Sequence, residues 1–310
     1  MAHKPYQSGF LFVYKPPGIT SSDLVLKTKR LLKQKSVGHT GTLDRFAEGL
    51  LILPCGDYTA FSQVFLGKDK TYYAEVVVGL RTDSGDPEGV VEVEERETIQ
   101  SVWESTFPTE RLERELSELT KLKIQKAPKI SALKVGGKRQ SDLVREGALV
   151  EEKERSISIY KVADIQKTSS GFSFRIHVSS GTYIRKIVLD LSDQWGIPLS
   201  LGRLVRESIG EFHLDGVKPL EEITYLDLRT WKEVFPLPVR IADEAEKKAV
   251  VHGGYIWDKL PKADENGFYI VDSDESTILA WCTYDGKPDH IPYRYRKVFF
   301  DPSLKIMFSK

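Results

Sequence analysis

The order of apolar and polar residues over the first 236 positions predicts an irregular mixture of strands and helices. Short apolar runs that predict strands occur at Gly9–Tyr14, Leu50–Leu53, Tyr72–Val78 and Phe172–Ser180. Apolar residues recur at helical spacing from Leu24 to Leu32 and from Ile184 to Trp195, which predicts two amphipathic helices. Ser21 precedes the first helix and is its predicted N-cap. Because the strands are too irregularly spaced for a regular βαβ winding, we expect an α+β domain over residues 1–236.

The pattern changes after about Pro236. Three short strand-like runs follow, at Phe268–Val271, Ile278–Cys282 and Lys297–Phe300, and they are separated by Asp, Gly and Pro. This spacing favours a small all-β module over residues 237–310, joined to the first domain by a proline-containing linker.

Composition narrows the class of protein. The 310 residues are 40% hydrophobic and 29% charged, as in an ordinary soluble globular protein. The two cysteines, Cys55 and Cys282, lie far apart, which argues against a disulfide scaffold or a structural zinc site. No apolar run approaches the roughly 20 residues of a membrane span, and residues 1–9 lack the apolar core of a secretory signal. We therefore expect a cytoplasmic protein without a membrane partner.

The net charge is zero, but the charges are segregated along the chain. Residues 91–120 carry nine Glu against three Arg, a net charge of −6. The next segment, 121–145, carries eight Lys and Arg against one Asp, a net charge of +7. Residues 15–45 carry seven against two, a net charge of +5. Because phosphate backbones respond to local potential, such segments can bind nucleic acid. A solvated face, with acidic residues on one helix and basic residues on the next, is the alternative.

The common cofactor and catalytic motifs are absent from the sequence. A GxGxxG turn, a GxxxxGK[ST] loop and a GxSxG elbow do not occur, and the six histidines are scattered. We therefore expect side-chain chemistry without a metal ion or a nucleotide cofactor.

Two polar segments next to predicted strands are candidates for that chemistry. VGHTGTLDRFAEGLLIL places His39 and Asp44 in a glycine-containing turn before a buried strand. Asp44 is a candidate nucleophile or general base, and capping of the turn is the alternative. SGTYIRK joins a strand to a helix and offers Tyr183 and Arg185; packing and solvent exposure are their alternatives. An arginine near Asp44 would hold that carboxylate ionised. Tyr72, beside Lys70, is a third candidate, with core packing as its alternative.

Five segments in a fixed order carry a family resemblance. They are GHTGTLDRFAEGLL, KTYYAEVVVGLRTDSGDPEG, APKISALKVGGKRQSDLVREG, SSGTYIRKIVLDL and RLVRESIGEF. Over residues 9–212 the chain resembles the TruB-type tRNA pseudouridine synthases, and GFLFVYKPPGITS is similar to the KPxG start of that family. The C-terminal part resembles, more loosely, a PUA-type RNA-binding module.

The resemblance implies isomerisation of the T-loop uridine at tRNA position 55. The glycosidic C–N bond breaks, the base rotates and a C–C bond forms, without a cofactor or a metal ion. It also implies a mixed, largely antiparallel sheet flanked by helices, with a PUA-like module after it. The expected partner is the tRNA T-arm and elbow, and we expect the protein to be a monomer.

The resemblance also implies roles for individual residues. Asp44 matches the nucleophile, Arg185 its partner, and Tyr72 the residue that stacks on the target base and accepts the C5 proton. Whether Asp44 attacks the base or the ribose stays open. The implied RNA-binding and pocket residues are His39, which props the T-loop, Tyr183 and Leu204 in the pocket wall, Lys15, which steadies the active-site loop, and Lys134, Lys138 and Arg139 in a basic insertion at about 121–147.

Three positions depart from the family pattern. Arg45 stands where the family has proline after the aspartate, Tyr14 where it has aspartate before Lys-Pro, and Ser141 where the insertion has an aromatic residue. The sequence leaves three other functions open. They are a non-catalytic tRNA-folding factor, a guide-RNA-directed relative, and a carboxylate glycosidase with Glu48 as the second carboxyl group.

Overall fold

The computed structural model describes residues 8–126, 128, 134–135, 138–139, 154–275, 277–284 and 293–299. The chain forms two compact units. The first comprises Met1–Gln7 and Leu11–Leu228, and the second comprises Ser8–Phe10 and Arg229–Lys310. The main border between these units lies at Leu228–Arg229, and the domain boundary at residue 236 stays a prediction. In the described part of the chain, no helix is long and apolar enough to cross a membrane.

The elements before residue 229 are mainly strands. In chain order they are β1 (Gly9–Lys15), β2 (Glu48–Cys55), β3 (Lys70–Val78), β4 (Leu80–Thr82), β5 (Val91–Glu94), β6 (Ile124–Lys126), β7 (Lys134–Val135), β8 (Lys138–Arg139), β9 (Glu154–Ser156), β10 (Ile159–Thr168), β11 (Gly171–Val178), β12 (Leu199–Ile209), β13 (Phe212–His213) and β14 (Lys218–Pro219). The α-helices are α1 (Ser21–Leu31), α2 (Ser62–Leu66), α3 (Arg96–Thr106), α4 (Thr109–Glu118) and α5 (Ile184–Trp195). Short 3₁₀ helices lie at Gly56–Phe61, Leu119–Lys121, Leu220–Glu222 and Tyr225–Asp227.

Eight strands form the main sheet in the order β10-β11-β3-β12-β2-β1-β14, with β13 paired to β12. The pairs β10–β11, β11–β3, β3–β12 and β12–β13 are antiparallel, whereas β12–β2 and β1–β14 are parallel. The sheet is therefore mixed and largely antiparallel, which confirms the predicted fold class. The apolar side of α5 packs with strands β3, β11 and β12 in one buried cluster.

Helix α1 begins one residue earlier than the pattern predicts. The N-cap is Thr20, whose hydroxyl accepts a hydrogen bond from the Asp23 amide, while the Asp23 carboxylate accepts one from the Thr20 amide. This reciprocal capping box fixes the start of the helix. The prediction of Ser21 as the N-cap was wrong: the Ser21 hydroxyl instead donates to the Leu43 carbonyl at 3.2 Å and accepts from the Leu43 amide at 2.9 Å.

A glycine allows β2 and β12 to approach closely beside the site. Gly49 lies opposite Arg206 in the parallel pair and has φ +112°, in the region that favours glycine. A Cβ atom at position 49 would lie 2.4 Å from the Arg206 carbonyl oxygen. This close pairing brings the turn that precedes β2 next to the β12 side chains.

The second unit contains a four-stranded sheet. Its strands are β15 (Val239–Ile241), β16 (Phe268–Val271), β17 (Ile278–Tyr284) and β18 (Tyr293–Val298), in that order. The unit also contains two helices that the strand pattern did not reveal, α6 (Trp231–Val234) and α7 (Glu244–Val251), the latter capped by Asp243. The apolar side chains of this unit form a buried cluster of their own.

Candidate active site

A cavity of about 330 Å³ opens where the turn before β2, the start of β3, the start of α5 and the middle of β12 meet. Five residues singled out in the sequence line it: Asp44, Tyr72, Tyr183, Arg185 and Leu204. They come from positions up to 160 residues apart in the chain, and the main sheet brings them together. The cavity is therefore the candidate active site.

Arg185 joins two carboxylates at one side of the cavity. Its Nε atom lies 2.8 Å from Asp44 Oδ2 and 3.3 Å from Asp86 Oδ2, and its Nη2 atom lies 3.3 Å from Asp44 Oδ1. The Arg185 and Asp86 side chains are 4% and 7% exposed, whereas the Asp44 side chain is 39% exposed. Burial alone would lower the pKa of Arg185, but the charges of Asp44 and Asp86 raise it. Asp44 is thus the carboxylate open to a substrate, and its partner stays charged.

Lys15 stabilises the turn that carries Asp44 by donating hydrogen bonds to backbone carbonyl groups. Its ammonium donates to the carbonyl oxygens of Ala47 at 2.6 Å, Pro16 at 2.9 Å and Arg45 at 3.3 Å. Lys15 is fully buried, so its side chain cannot contact RNA in this conformation. These contacts are those expected of a residue that steadies the active-site loop, the role that the resemblance implies for Lys15.

Arg206 holds the same turn from the β12 side. Its guanidinium donates to the carbonyl oxygens of Leu50 at 2.9 Å, Gly41 at 3.2 Å and Thr42 at 3.5 Å. These acceptors lie on both sides of Asp44 in the sequence, so one side chain fixes both ends of the turn. Arg206 also lies opposite Tyr72 across the β3–β12 pair, and both side chains line the cavity.

Lys70 is a third buried cation in the cavity wall, after Arg185 and Arg206. Its ammonium donates to the carbonyl oxygens of Phe65 at 3.2 Å and Leu66 at 2.9 Å, and also to that of Lys68. Among the described residues, neither Lys70 nor Arg206 has a carboxylate within ion-pair distance. Buried charges are ordinarily paired with an opposite charge. Because Lys70 and Arg206 are not, the cavity wall carries an excess of positive charge.

Because Lys15 and Lys70 are buried, the free energy of unfolding depends on pH. Burial lowers the pKa of both Lys15 and Lys70 to about 8, with the nearby Arg206 charge adding to the effect. Between pH 8 and 10 the unfolded chain therefore binds more protons than the folded chain, and the free energy of unfolding rises with pH. We expect each lysine to contribute about 1–2 kcal/mol over this window. Urea unfolding of wild type and Lys70→Met at pH 8 and pH 10 measures the difference.

The matched control for this measurement is Lys68→Met. Lys68 lies two residues away and pairs with Glu211 at the surface. The Lys68 charge influences the pKa of Lys70 less than burial and the Arg206 charge do, so Lys68→Met should reduce the rise far less than Lys70→Met does. An equal rise in all three proteins would contradict the assignment to Lys70.

Side chains of β6 and β9, the strands that flank residues 127–153, contact the opposite wall of the cavity. The Gln125 amide donates to the Tyr183 carbonyl at 3.0 Å and accepts from the Tyr183 amide at 2.9 Å. Arg155 donates to the Gly181 carbonyl at 2.9 Å, and its guanidinium lies 5.4 Å from the centroid of the Tyr183 ring. Tyr183 directly precedes α5, so these contacts fix the start of the helix that carries Arg185.

The remaining predicted residues lie outside the cavity wall or outside the described side chains. His39 is half-buried in the turn, and its Nδ1 atom accepts a long hydrogen bond of 3.4 Å from the Gly41 amide. The side chains of Lys134, Lys138 and Arg139 lie outside the described part of the structure, as does Ser141.

Two departures from the family pattern have local partners. Arg45 Nε donates to the Gly18 carbonyl at 2.9 Å and lies 3.5 Å from Glu88, while the Gly18 amide donates to the Arg45 carbonyl. The Tyr14 hydroxyl donates to the Glu48 carboxylate, which also pairs with Arg203. Burial and that bond raise the pKa of Tyr14 to about 12. Glu48 is thus engaged and does not line the cavity, which removes the acid that a glycosidase would need.

Sequence reasoning gave no role in this site to four residues: Asp86, Arg206, Gln125, and Lys70, which it named only as the neighbour of Tyr72. Arg206 was accessible from the pattern, because it follows Leu204 by two positions and residues at that spacing share one face of a strand. The other three carried no local signal of burial beside the cavity.

The chain is similar to proteins of one family over nearly its whole length. The model for the TruB family pseudouridylate synthase N-terminal domain matches residues 29–184. A tRNA pseudouridine synthase B of Leptospira interrogans (serovar Lai) is 42% identical over 297 residues, 94% of each chain. A protein of the same name from Bacillus velezensis is 30% identical over 97% of this chain and 98% of its own.

Solved structures agree on the fold. A chain in the crystal structure of a Cbf5-Nop10-Gar1 complex matches with a TM-score of 0.62 and 20% identity, over 94% of this chain and 85% of that chain. At that identity the likeness concerns the fold alone. The family model and the close relatives concern the sequence itself, and by both of them this chain belongs to the TruB family of pseudouridylate synthases.

Proposed function

We propose that the chain converts uridine to pseudouridine in the T-loop of tRNA, at position 55. The observation that carries the proposal is the Asp44 carboxylate, exposed to a cavity, paired with the buried Arg185 guanidinium, and sharing that cavity with the Tyr72 ring. The tRNA-modifying names of the close relatives support the choice of substrate.

The target base has to leave the loop stack before it can enter this cavity. Flipping a nucleotide costs a few kcal/mol. Stacking of the uracil on the Tyr72 ring returns roughly 1–3 kcal/mol of that cost. His39, in the turn beside the cavity, fills the space that the base leaves in the T-loop.

Asp44 then acts as the nucleophile, on the ribose C1′ or on the uracil ring. In either case the N1–C1′ bond breaks and its electron pair stays with the uracil. After the ring turns, C5 forms the new bond to C1′ and Asp44 is released. C5 loses its proton to the Tyr72 oxygen, which releases its own hydroxyl proton as it accepts. N1 gains a proton, so the product is an isomer of the substrate.

The buried cations suit the charge that this reaction develops. Breaking the N1–C1′ bond places negative charge on the uracil, inside a cavity whose wall includes Lys70, Arg185 and Arg206. Preorganised positive charge in a water-poor site stabilises such a species. Lys15 acts indirectly, since it holds the turn that positions Asp44.

The proposal extends to the rest of the chain. Lys134, Lys138 and Arg139, in the basic insertion, bind the backbone of the tRNA elbow. Residues 237–310 serve as a PUA-like RNA-binding module. The protein works as a monomer in the cytoplasm.

The test is tritium release from tRNA transcribed with [5-³H]uridine. C–C bond formation displaces the hydrogen at C5, so wild type should release about one tritium per tRNA. A transcript with cytidine at position 55 is the control and should release none. Retained tRNA binding without release would favour the non-catalytic folding factor, and loss of both would overturn the function.

A further inference from the structure

The exposed side of α1 carries a dense group of cations that the catalytic site does not use. Lys27, Lys29, Arg30 and Lys33 all have exposed side chains, and Lys33 lies just past the end of the helix. Within the described part of the chain, none of these four makes an ion pair or a side-chain hydrogen bond. The one acidic residue of the helix, Asp23, is occupied in the capping box at its start.

Ordinary solvation does not account for this charge pattern. On α4 of the same chain, Arg111 and Arg114 both lie within 4 Å of Glu115, so exposed cations are balanced there. Cations in the last turn of a helix gain about 0.3–1 kcal/mol from the helix dipole. That gain applies to Lys29 and Arg30, and Lys27 lies one turn after Asp23 and interacts with its charge. Lys33 has neither contribution.

The helix starts beside the catalytic turn and the chain returns to it. The Ser21 hydroxyl is hydrogen-bonded to both backbone groups of Leu43, the neighbour of Asp44. From there the 11 residues of α1 extend about 16 Å, at about 1.5 Å per residue. After the helix, the Gly38 and Thr40 amides pair with carbonyls of β2 before Gly41 reaches the cavity wall.

The cations of α1 therefore form a strip of positive charge that several nucleotides of an RNA strand leaving the cavity could reach. An RNA strand whose base enters the cavity continues along the protein surface on either side of it. Phosphate groups spaced along such a strand meet cations fixed at intervals on α1, which is the arrangement that releases counterions on binding.

We propose that this surface, which we call the α1 cationic face (Lys27, Lys29, Arg30 and Lys33), binds phosphates of the T-arm whose loop enters the cavity. The proposal rests on the proposed function, since it names a second contact for the same RNA. Each cation that neutralises a phosphate should add about 0.7–0.9 to the slope of log Kd against log salt concentration.

The test compares Arg30→Gln/Lys33→Gln with the control Arg96→Gln/Arg114→Gln. Both variants remove two exposed cations and change the net charge equally, but the control residues lie in the acidic segment 91–120. For the α1 variant we expect the salt slope to fall by about 1.5 and the affinity for an isolated T-arm hairpin to fall about tenfold at moderate salt. The rate with bound tRNA at saturating enzyme should not change, and the control should match wild type.

Each other outcome overturns a different statement. A wild-type protein that makes no pseudouridine would overturn the proposed function. An active wild type whose slope equals that of the α1 variant would overturn only the α1 contact. An effect seen with whole tRNA but not with the hairpin would place the contact outside the T-arm. Because α1 also exposes Leu26 and Leu31, loss of binding to anionic phospholipid vesicles with an unchanged RNA slope would assign the face to a membrane surface instead.

Discussion

Replacement of Asp44 by asparagine is expected to abolish tritium release while tRNA binding stays within about twofold of wild type. The amide is nearly the same size and retains an oxygen that accepts from Arg185 Nε, so the cavity keeps its shape. Arg185 also keeps its second carboxylate, Asp86, so the fold is not left with an unpaired buried charge. What is lost is the nucleophile, and removing one commonly lowers the rate by about 10⁴-fold or more. Single-turnover release and filter binding measure the two quantities separately.

The matched control is Asp86→Asn. Asp86 contacts the same guanidinium, but its side chain is buried beneath it and accepts hydrogen bonds from the Ser84 hydroxyl and the Glu88 amide. We expect this variant to remain active, with a reduced rate. Equal loss of turnover in the two variants would mean that pairing with Arg185, rather than attack by Asp44, is the role of both carboxylates.

Replacement of Arg185 by methionine is the second large effect. It removes the only cation that the described structure places within ion-pair distance of Asp86, and a buried charge without a partner destabilises a protein by about 3–5 kcal/mol. It also frees Asp44 from its two-point contact, so turnover should fall together with stability. Urea unfolding at pH 7 and tritium release measure the two losses.

A double variant separates these two losses. Arg185→Met/Asp86→Asn removes the unpaired buried charge, so most of the lost stability should return. Turnover should not return, because Asp44 still lacks the guanidinium that orients it. Recovery of turnover along with stability would show that Arg185 acts through the fold alone.

The secondary structure and the candidate catalytic residues of this site could be predicted from the sequence, whereas the arrangement of its buried charges could not. The helices and strands around the site follow apolar periodicity, which depends on local spacing. Asp44 and Arg185 are 141 positions apart and were joined by the family resemblance, not by any local rule. The N-cap was misassigned by one residue because Thr20, Ser21 and Ser22 are all competent caps, and only the Asp23 partner selects Thr20.

The pattern of apolar and polar residues could not reveal which cations are buried. Arg203 and Arg206 lie on the same strand, yet the first is half-exposed and paired with Glu48, while the second is 1% exposed and bonded to backbone carbonyls. A charged residue in a strand is ordinarily assigned to the surface. Its burial here depends on carbonyl groups of the turn at 41–50, which come from a distant part of the sequence.

The hydrogen bonds that stabilise the catalytic turn bear on which residues the position next to the nucleophile can accept. Lys15 and Arg206 hold carbonyl groups on both sides of Asp44, and Ser21 holds the Leu43 backbone, so three side chains from outside the turn stabilise its backbone. At position 45 the backbone carbonyl accepts from the Gly18 amide and the Lys15 ammonium, and proline has the same carbonyl. The Arg45 side chain adds a hydrogen bond to the Gly18 carbonyl and a contact with Glu88. The contacts of this carbonyl do not depend on which side chain stands at position 45, one position from the nucleophile. A charged side chain can therefore stand at the rim of the active site while Lys15, Arg206 and Ser21 hold the backbone beside the nucleophile.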